Sequence, residues 1–148
     1  MSEPLVSIVI PLYNKSDWII PTLISVMRQE YSRWECIIVD DGSTDKTLDI
    51  LKAYQRIWGK DRLSIIKGPR QGFQKNFMSL ITSKKIHGDF YILCDQDDVW
   101  LPQKITTAIT HLQSQDPTKS QLYCGRTTYV TKELKLLENS RLFIKPPS

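Results

Sequence analysis

Four short apolar runs organise the hydrophobic pattern of this chain, and each is followed by a polar loop. They lie at about 5–10, 35–40, 63–67 and 89–94, and their interiors are mostly β-branched or otherwise apolar. The first run is almost continuously apolar, which is typical of a strand that is covered on both faces, as in a parallel sheet. The pattern therefore predicts four strands, of which the first should stop at Pro11.

Amphipathic stretches separate these runs and predict helices at about 17–30, 74–85 and 102–113, with another between the second and third strands. Ser16 or Asp17 should cap the first helix, and Ser43 or Thr44 the second. A further strand is predicted at 121–130. Strands and helices that alternate in one sheet require right-handed crossovers and parallel strands, so we predict an α/β fold in one domain over residues 1–148. The apolar residues that mark these helices are Ile20, Leu23, Ile24 and Met27, then Leu48, Ile50, Leu51 and Tyr54, then Phe77, Leu80 and Ile81.

Acidic residues collect where two of the predicted strands end. Cys94-Asp95-Gln96-Asp97-Asp98 follows the fourth strand, and Asp40-Asp41-Gly42-Ser43-Thr44-Asp45 follows the second. Carboxylates this close repel one another unless a cation or a hydrogen-bond donor relieves the repulsion. Carboxylate oxygens suit Mg²⁺ or Mn²⁺, and Mg²⁺ usually takes one or two of them together with substrate phosphates. The alternative is that these acids only cap the helices that follow.

The carboxyl ends of parallel strands meet at one edge of a sheet, so both acidic segments should lie beside Tyr13, which follows the first strand. Tyr13 could stack on a base, Asp41 could accept hydrogen bonds from a base or ribose, and a metal could bridge two phosphates. Each residue has a simpler interpretation, since Tyr13 could pack at the rim and Asp41 could cap a helix. Their joint position favours a metal-bound nucleoside diphosphate as the ligand.

Composition narrows the class of protein. With 41% apolar and 24% charged residues, the chain has the make-up of an ordinary globular protein. The net charge of +4 comes from scattered basic residues, which do not indicate a nucleic-acid partner. No stretch has the length of a membrane span or the pattern of a signal peptide, so the expected compartment is the cytoplasm. The cysteines Cys36, Cys94 and Cys124 form no CxxC pair, and we expect reduced core thiols.

Three motifs in order carry a resemblance to a known family. Val6-Ser7-Ile8-Val9-Ile10-Pro11-Leu12-Tyr13-Asn14, Ile38-Val39-Asp40-Asp41-Gly42-Ser43-Thr44-Asp45 and Asp95-Gln96-Asp97-Asp98 resemble the family 2 glycosyltransferases of the GT-A fold. The likeness runs from about Leu5 to His111. The segments Gly72–Phe77 and Cys94–Pro102 also resemble the rhamnosyltransferase-like branch, which acts on bacterial surface polysaccharides. The implied fold is a Rossmann-like three-layer α/β/α arrangement with a mostly parallel sheet, incomplete at its C-terminus.

The resemblance implies a role for each motif residue. Pro11 and Tyr13 would line the base pocket, Asp41 would bind base or ribose, and Asp95 would bind ribose as the first acid of the DxD motif. Asp97 and Asp98 would both be candidate ligands for Mg²⁺ or Mn²⁺. Arg70 and Lys75 could reach phosphate or uracil, or could be solvated surface charges.

The implied activity is inverting sugar transfer from a UDP- or dTDP-linked donor to a saccharide or lipid-linked acceptor. Inversion needs a general base, and none of Asp116, Glu133 and Glu138 stands in a matching motif. The acceptor-binding half is expected to be missing after about residue 130, which leaves a nucleotide-sugar-binding portion. A non-catalytic binding module or a partner-dependent subunit is the alternative, and peripheral membrane association and a homo-oligomer stay open. A phospho-acceptor receiver, a dinucleotide oxidoreductase and a nucleotidyltransferase fit the order of motifs less well.

Overall fold

Four parallel strands form the central sheet of the protein in the order β3-β2-β1-β4. The structure is a computed structural model, and it describes residues 3–84 and 86–141. The strands are β1 (Val6–Leu12), β2 (Trp34–Asp40), β3 (Leu63–Lys67) and β4 (Phe90–Leu93). The helices between them are α1 (Ile19–Met27), α2 (Thr47–Trp58) and α3 (Phe73–Ile81). The predicted α/β class with a parallel sheet is confirmed.

The described residues divide into two compact units, one ending at Thr106 and the other beginning at Thr107. The sheet belongs to the first unit, and α4 (Lys104–Gln113) runs across the division. The second unit contains an antiparallel pair, β5 (Thr128–Val130) and β6 (Leu136–Asn139). The strand predicted over 121–130 is therefore limited to its last three residues, and β6 was not predicted. The prediction of one domain without an acceptor-binding half stays a prediction.

The core of the first unit explains why its apolar runs are continuous. On one face of the sheet, Val9, Ile37 and Val39 pack against Leu80 of α3, and each of the four is at most 2% exposed. Ile8, Ile10 and Ile38 alternate with them along β1 and β2 and are fully buried as well. Because both faces of β1 and β2 are covered, neither strand shows the apolar–polar alternation of a half-exposed strand.

The prediction that β1 stops at Pro11 is wrong, because β1 continues to Leu12 and Pro11 pairs with Val39 of β2. The pairing of β1 with β4 ends at Val9 and Leu93. Beyond that point β1 has a strand on one side only, and a proline, which lacks the N–H donor, is tolerated there.

The predicted helices exist, but several of their bounds and faces differ. The apolar residues noted in α1 include only one buried residue, Leu23, while Ile20, Ile24 and Met27 are 37–55% exposed and Ile19 and Val26 are buried instead. Helix α1 is apolar on nearly every side, so its sequence cannot single out one face. In α3 Leu80 is buried, but Ile81 is 59% exposed.

Neither predicted helix cap forms. The residues directly before α1 and α2, Trp18 and Lys46, make no side-chain cap. Asp45, which was not predicted as a cap, accepts a hydrogen bond at its Oδ1 from the main-chain N–H of Thr47, the first residue of α2, at 3.0 Å. Ser43 is used elsewhere, because its Oγ accepts a hydrogen bond from the main-chain N–H of Asn14. Helix α3 ends at Ile81, before the predicted end at Lys85, a residue that lies outside the described part of the chain.

Cys36 and Cys94 are buried, as expected for core thiols, and burial raises the pKa of both. Cys124 is exposed, so the expectation of a third core thiol is wrong. Within the described ranges, no helix is long and apolar enough to cross a membrane.

Candidate nucleotide-binding site

A cavity of about 620 Å³ opens at the carboxyl ends of the parallel strands, the edge where open α/β sheets bind ligands. Of the predicted site residues, Pro11, Tyr13, Asp41 and Arg70 line it, whereas Lys75, Asp95, Asp97 and Asp98 are not part of the lining. The lining consists of Pro11, Leu12, Tyr13, Asp41, Gly42, Ser43, Thr44, Arg70, Gly72, Phe73, Asn76 and Gln96.

The two acids at the end of β2 have different tasks. Asp40 is 6% exposed, and its carboxylate accepts hydrogen bonds from the main-chain N–H groups of Gly42 and Ser43 at 3.1 Å. It therefore holds the turn that follows β2. Gly42 adopts a φ of +97° in that turn, a conformation that favours glycine.

Asp41 holds the loop that precedes α3. Its Oδ1 accepts a hydrogen bond from the main-chain N–H of Arg70 at 2.6 Å, and its Oδ2 accepts one from that of Gly72 at 2.9 Å. Arg70 has a φ of +57°, which is unusual for a residue other than glycine. The Arg70 side chain lies across Gly42, so close that a Cβ at residue 42 would stand 2.9 Å from Arg70 Nε. Asp41 thus holds the main chain of Arg70, a residue that lines the cavity.

The loop after β1 supplies the third wall of the cavity. Pro11, near the end of β1, is buried, and Tyr13, the first residue of the loop, is 52% exposed. The main-chain N–H of Tyr13 donates to Oε1 of Gln96 at 3.0 Å, which ties this loop to the acidic segment after β4. The sequence interpretation missed Gln96, although it lies between two acids that were singled out.

Asn76 forms the buried base of the cavity and was also missed. It is 1% exposed, and its Nδ2 donates to the main-chain carbonyl of Val39 at 2.9 Å. Oδ1 is buried and has no hydrogen-bond partner within the described ranges. It lies so close to Gly68 that a Cβ there would be 2.6 Å away, so Gly68 allows α3 to approach β2.

The acidic segment after β4 does not form a preassembled cage. Among the described residues, no group of three or more acids, histidines or cysteines converges to hold a metal ion. Burial first, and the negative charge of Asp95 next, raise the pKa of Asp98. Asp97 faces a cation of the protein itself, because Lys15 Nζ lies 3.1 Å from its Oδ2. The acids of this segment are a donor set that fits a metal bringing substrate phosphates as its other ligands.

Comparisons with known proteins agree on one family. A sequence model described as glycosyl transferase family 2 matches residues 7–145. The glycosyltransferase TuaG of Bacillus subtilis, named for teichuronic acid biosynthesis, is 36% identical over 107 residues, which are 70% of this chain and 40% of TuaG.

Solved structures give the same picture. Residues 1–349 of S. aureus TarS, solved with UDP-GlcNAc, match with a TM-score of 0.59 and 28% identity over 73% of this chain and 31% of that one. The mannosyltransferase PcManGT of Pyrobaculum calidifontis, solved with GDP-Man and Mn²⁺, has a TM-score of 0.69 over 88% of this chain and 36% of its own. At 22% identity, its likeness concerns the fold alone. The chain spans 36–42% of the length of the first curated relatives that it matches.

Proposed function

Because the chain belongs to glycosyl transferase family 2, we propose that it is the donor-binding portion of an inverting, metal-dependent glycosyltransferase of bacterial surface polysaccharide synthesis. Its fold is the GT-A fold of the matching structures. The proposed donor is a nucleoside-diphosphate sugar, with UDP or dTDP as the nucleotide, and the proposed acceptor is a saccharide or a lipid-linked saccharide. The proposed compartment is the cytoplasm, including the inner face of the membrane.

The observation that carries the proposal is the convergence of Tyr13, Asp41 and Arg70 on one cavity at the strand ends. The exposed ring of Tyr13 can stack on a base. Asp41 uses two acceptor positions on Arg70 and Gly72, and a carboxylate has about four, so it can still accept from base or ribose. The guanidinium of Arg70 presents planar donors that suit a base carbonyl or a phosphate.

The acidic segment would complete donor binding. Asp95 would bind the ribose, and Asp97, Asp98 or both would hold Mg²⁺ or Mn²⁺. The bound metal would offset the charge that develops on the leaving diphosphate. The protein would keep the donor oriented by its contacts with base and ribose while an acceptor hydroxyl attacks the anomeric carbon.

The general base remains unassigned. Asp116 is a poor candidate for the base. Its Oδ1 accepts hydrogen bonds from the hydroxyl of Thr118 at 2.7 Å and from the main-chain N–H of Thr118 at 3.0 Å, and these bonds lower the pKa of Asp116. Glu133 and Glu138 are exposed in the second unit. The second candidate function is therefore a non-catalytic nucleotide-sugar-binding module or a partner-dependent subunit.

Calorimetric titration with UDP and dTDP, each with Mn²⁺ and with EDTA, tests the proposal. We expect metal-dependent binding that the D97A/D98A double substitution weakens at least tenfold, while D17N, a matched change of an exposed acid, leaves it unaltered. Equal affinity in the double variant would exclude these acids as metal ligands, and absence of nucleotide binding would refute the proposed function. Hydrolysis of the sugar nucleotide would separate an enzyme from the non-catalytic module.

A further inference from the structure

Lys15 places a positive charge on the acidic segment. It lies in the loop between β1 and α1, and its Nζ is 3.1 Å from Oδ2 of Asp97. The two side chains are 27% and 46% exposed, so the pair is only partly open to solvent. The two residues are separated by 82 positions in the chain, and only folding brings them together.

The main chain of Lys15 is anchored on both sides. Its N–H donates to Oγ1 of Thr47 at 2.9 Å, and Thr47 is fully buried at the start of α2. Its carbonyl accepts hydrogen bonds from Trp18 N at 3.0 Å and Ile19 N at 2.9 Å, which begin α1. Because the backbone is fixed, the ammonium stays within reach of Asp97 whether or not the ion pair is formed.

We propose that Lys15 is the counter-ion of Asp97 in the metal-free protein, where it competes with free divalent cations and favours a cation that arrives with a nucleoside diphosphate. This inference rests on the proposed function, since it assumes that Asp97 belongs to the donor site. It makes Lys15 a positioning residue that links metal binding to nucleotide binding.

Electrostatics gives the two effects opposite signs. A free divalent cation must displace the ammonium from the carboxylate and is repelled by it at short range. A nucleoside diphosphate carries more negative charge than one divalent cation cancels, so the same ammonium attracts the metal–diphosphate pair. Removal of the charge should therefore tighten the binding of free metal and weaken the binding of the pair.

The test uses K15M, with K15R as the variant that keeps the charge and K52M as a control on the exposed side of α2. Electron paramagnetic resonance titration measures free Mn²⁺, and calorimetry measures UDP at saturating Mn²⁺. For K15M we expect free Mn²⁺ to bind about three- to tenfold more tightly and UDP about three- to tenfold more weakly, as for a partly exposed ion pair. K15R and K52M should stay close to the wild type.

A second measurement separates direct competition from a general change in charge. In a D97N background, K15M should change the affinity for Mn²⁺ less than twofold, because the shared carboxylate is gone. Unchanged or weaker binding of free Mn²⁺ by K15M would overturn the proposal, and so would weaker binding of both ligands in a variant whose melting temperature is unaltered. If no variant binds UDP, the proposed function fails. The ratio of the Mn²⁺ affinities of K15M and the wild type still decides whether Lys15 competes with the metal at Asp97.

Discussion

The two hydrogen bonds of Asp41 allow a quantitative test of how the cavity is built. Hydrogen bonds to a charged group contribute about 1.5–3 kcal/mol each, and the exposure of residues 70–72 favours the lower value. D41N keeps one carbonyl oxygen and should lose one of the two hydrogen bonds, which lowers the free energy of opening the loop by about 1.5 kcal/mol. D41A should lose both, about 3 kcal/mol, and the left-handed φ of Arg70, itself costing about 1 kcal/mol, would then promote opening.

Amide hydrogen exchange at Arg70 and Gly72 measures that cost directly. Since about 1.4 kcal/mol corresponds to a factor of ten, exchange should accelerate about tenfold in D41N and about a hundredfold in D41A. UDP affinity should fall in the same order, because the guanidinium of Arg70 loses its fixed position. D17N provides the matched control. If D41A left both exchange rates within twofold of the wild type, Asp41 would not be what holds this loop.

Three further predictions concern stability. L80A should lower the free energy of unfolding in urea by about 2–4 kcal/mol, because Leu80 is 2% exposed. I81A, at an exposed residue of the same helix, should lower it by less than about 0.5 kcal/mol, and equal losses would refute the assignment of the buried face. G68A should cost about 1–3 kcal/mol by crowding polar atoms at under 3 Å, whereas G125A, with open space around it, should be nearly neutral in the same assay. Desolvation raises the pKa of Asp45, but hydrogen bonds from Thr47, at the start of α2, and from Ser16 together outweigh it and lower the pKa from 3.8 to about 2. The contribution of Asp45 to stability is therefore present above pH 4 and is lost as pH falls through 2. D45N should therefore lose up to about 1 kcal/mol at pH 7, after allowance for exposure, and little below pH 2; a pH-independent difference in urea unfolding would contradict this.

The sequence alone determined the strands and the edge at which the site lies. The apolar runs of β1 and β2 are buried on both faces, whereas β3 is only partly buried and Tyr91 and Leu93 of β4 are exposed. All four runs were recognised as strands from local composition alone. Because each run ends in a polar segment, the order of the segments put Tyr13, Asp41 and the acidic motif at the same edge before any contact was known. The resemblance to family 2 glycosyltransferases likewise followed from three motifs and their order along the chain.

Strand and helix details depended on neighbours that the sequence does not show. Pro11 could continue β1 because β4 had already ended beside it, and that follows from the register of the sheet. The buried face of α1 was decided by what the helix packs on, since Ile19 and Ile20 are equally apolar and only the first is buried.

The tertiary structure also decided which partner each polar group of the site found. Asp41 was expected to face a ligand, and it also accepts hydrogen bonds from the main chains of Arg70 and Gly72, about 30 positions away in the chain. Asp97 was expected to be a candidate metal ligand, and its carboxylate forms an ion pair with Lys15. Local sequence fixes propensity and the apolar pattern, whereas a hydrogen bond or ion pair between distant residues depends on distances of a few ångströms that exist only after the chain has folded.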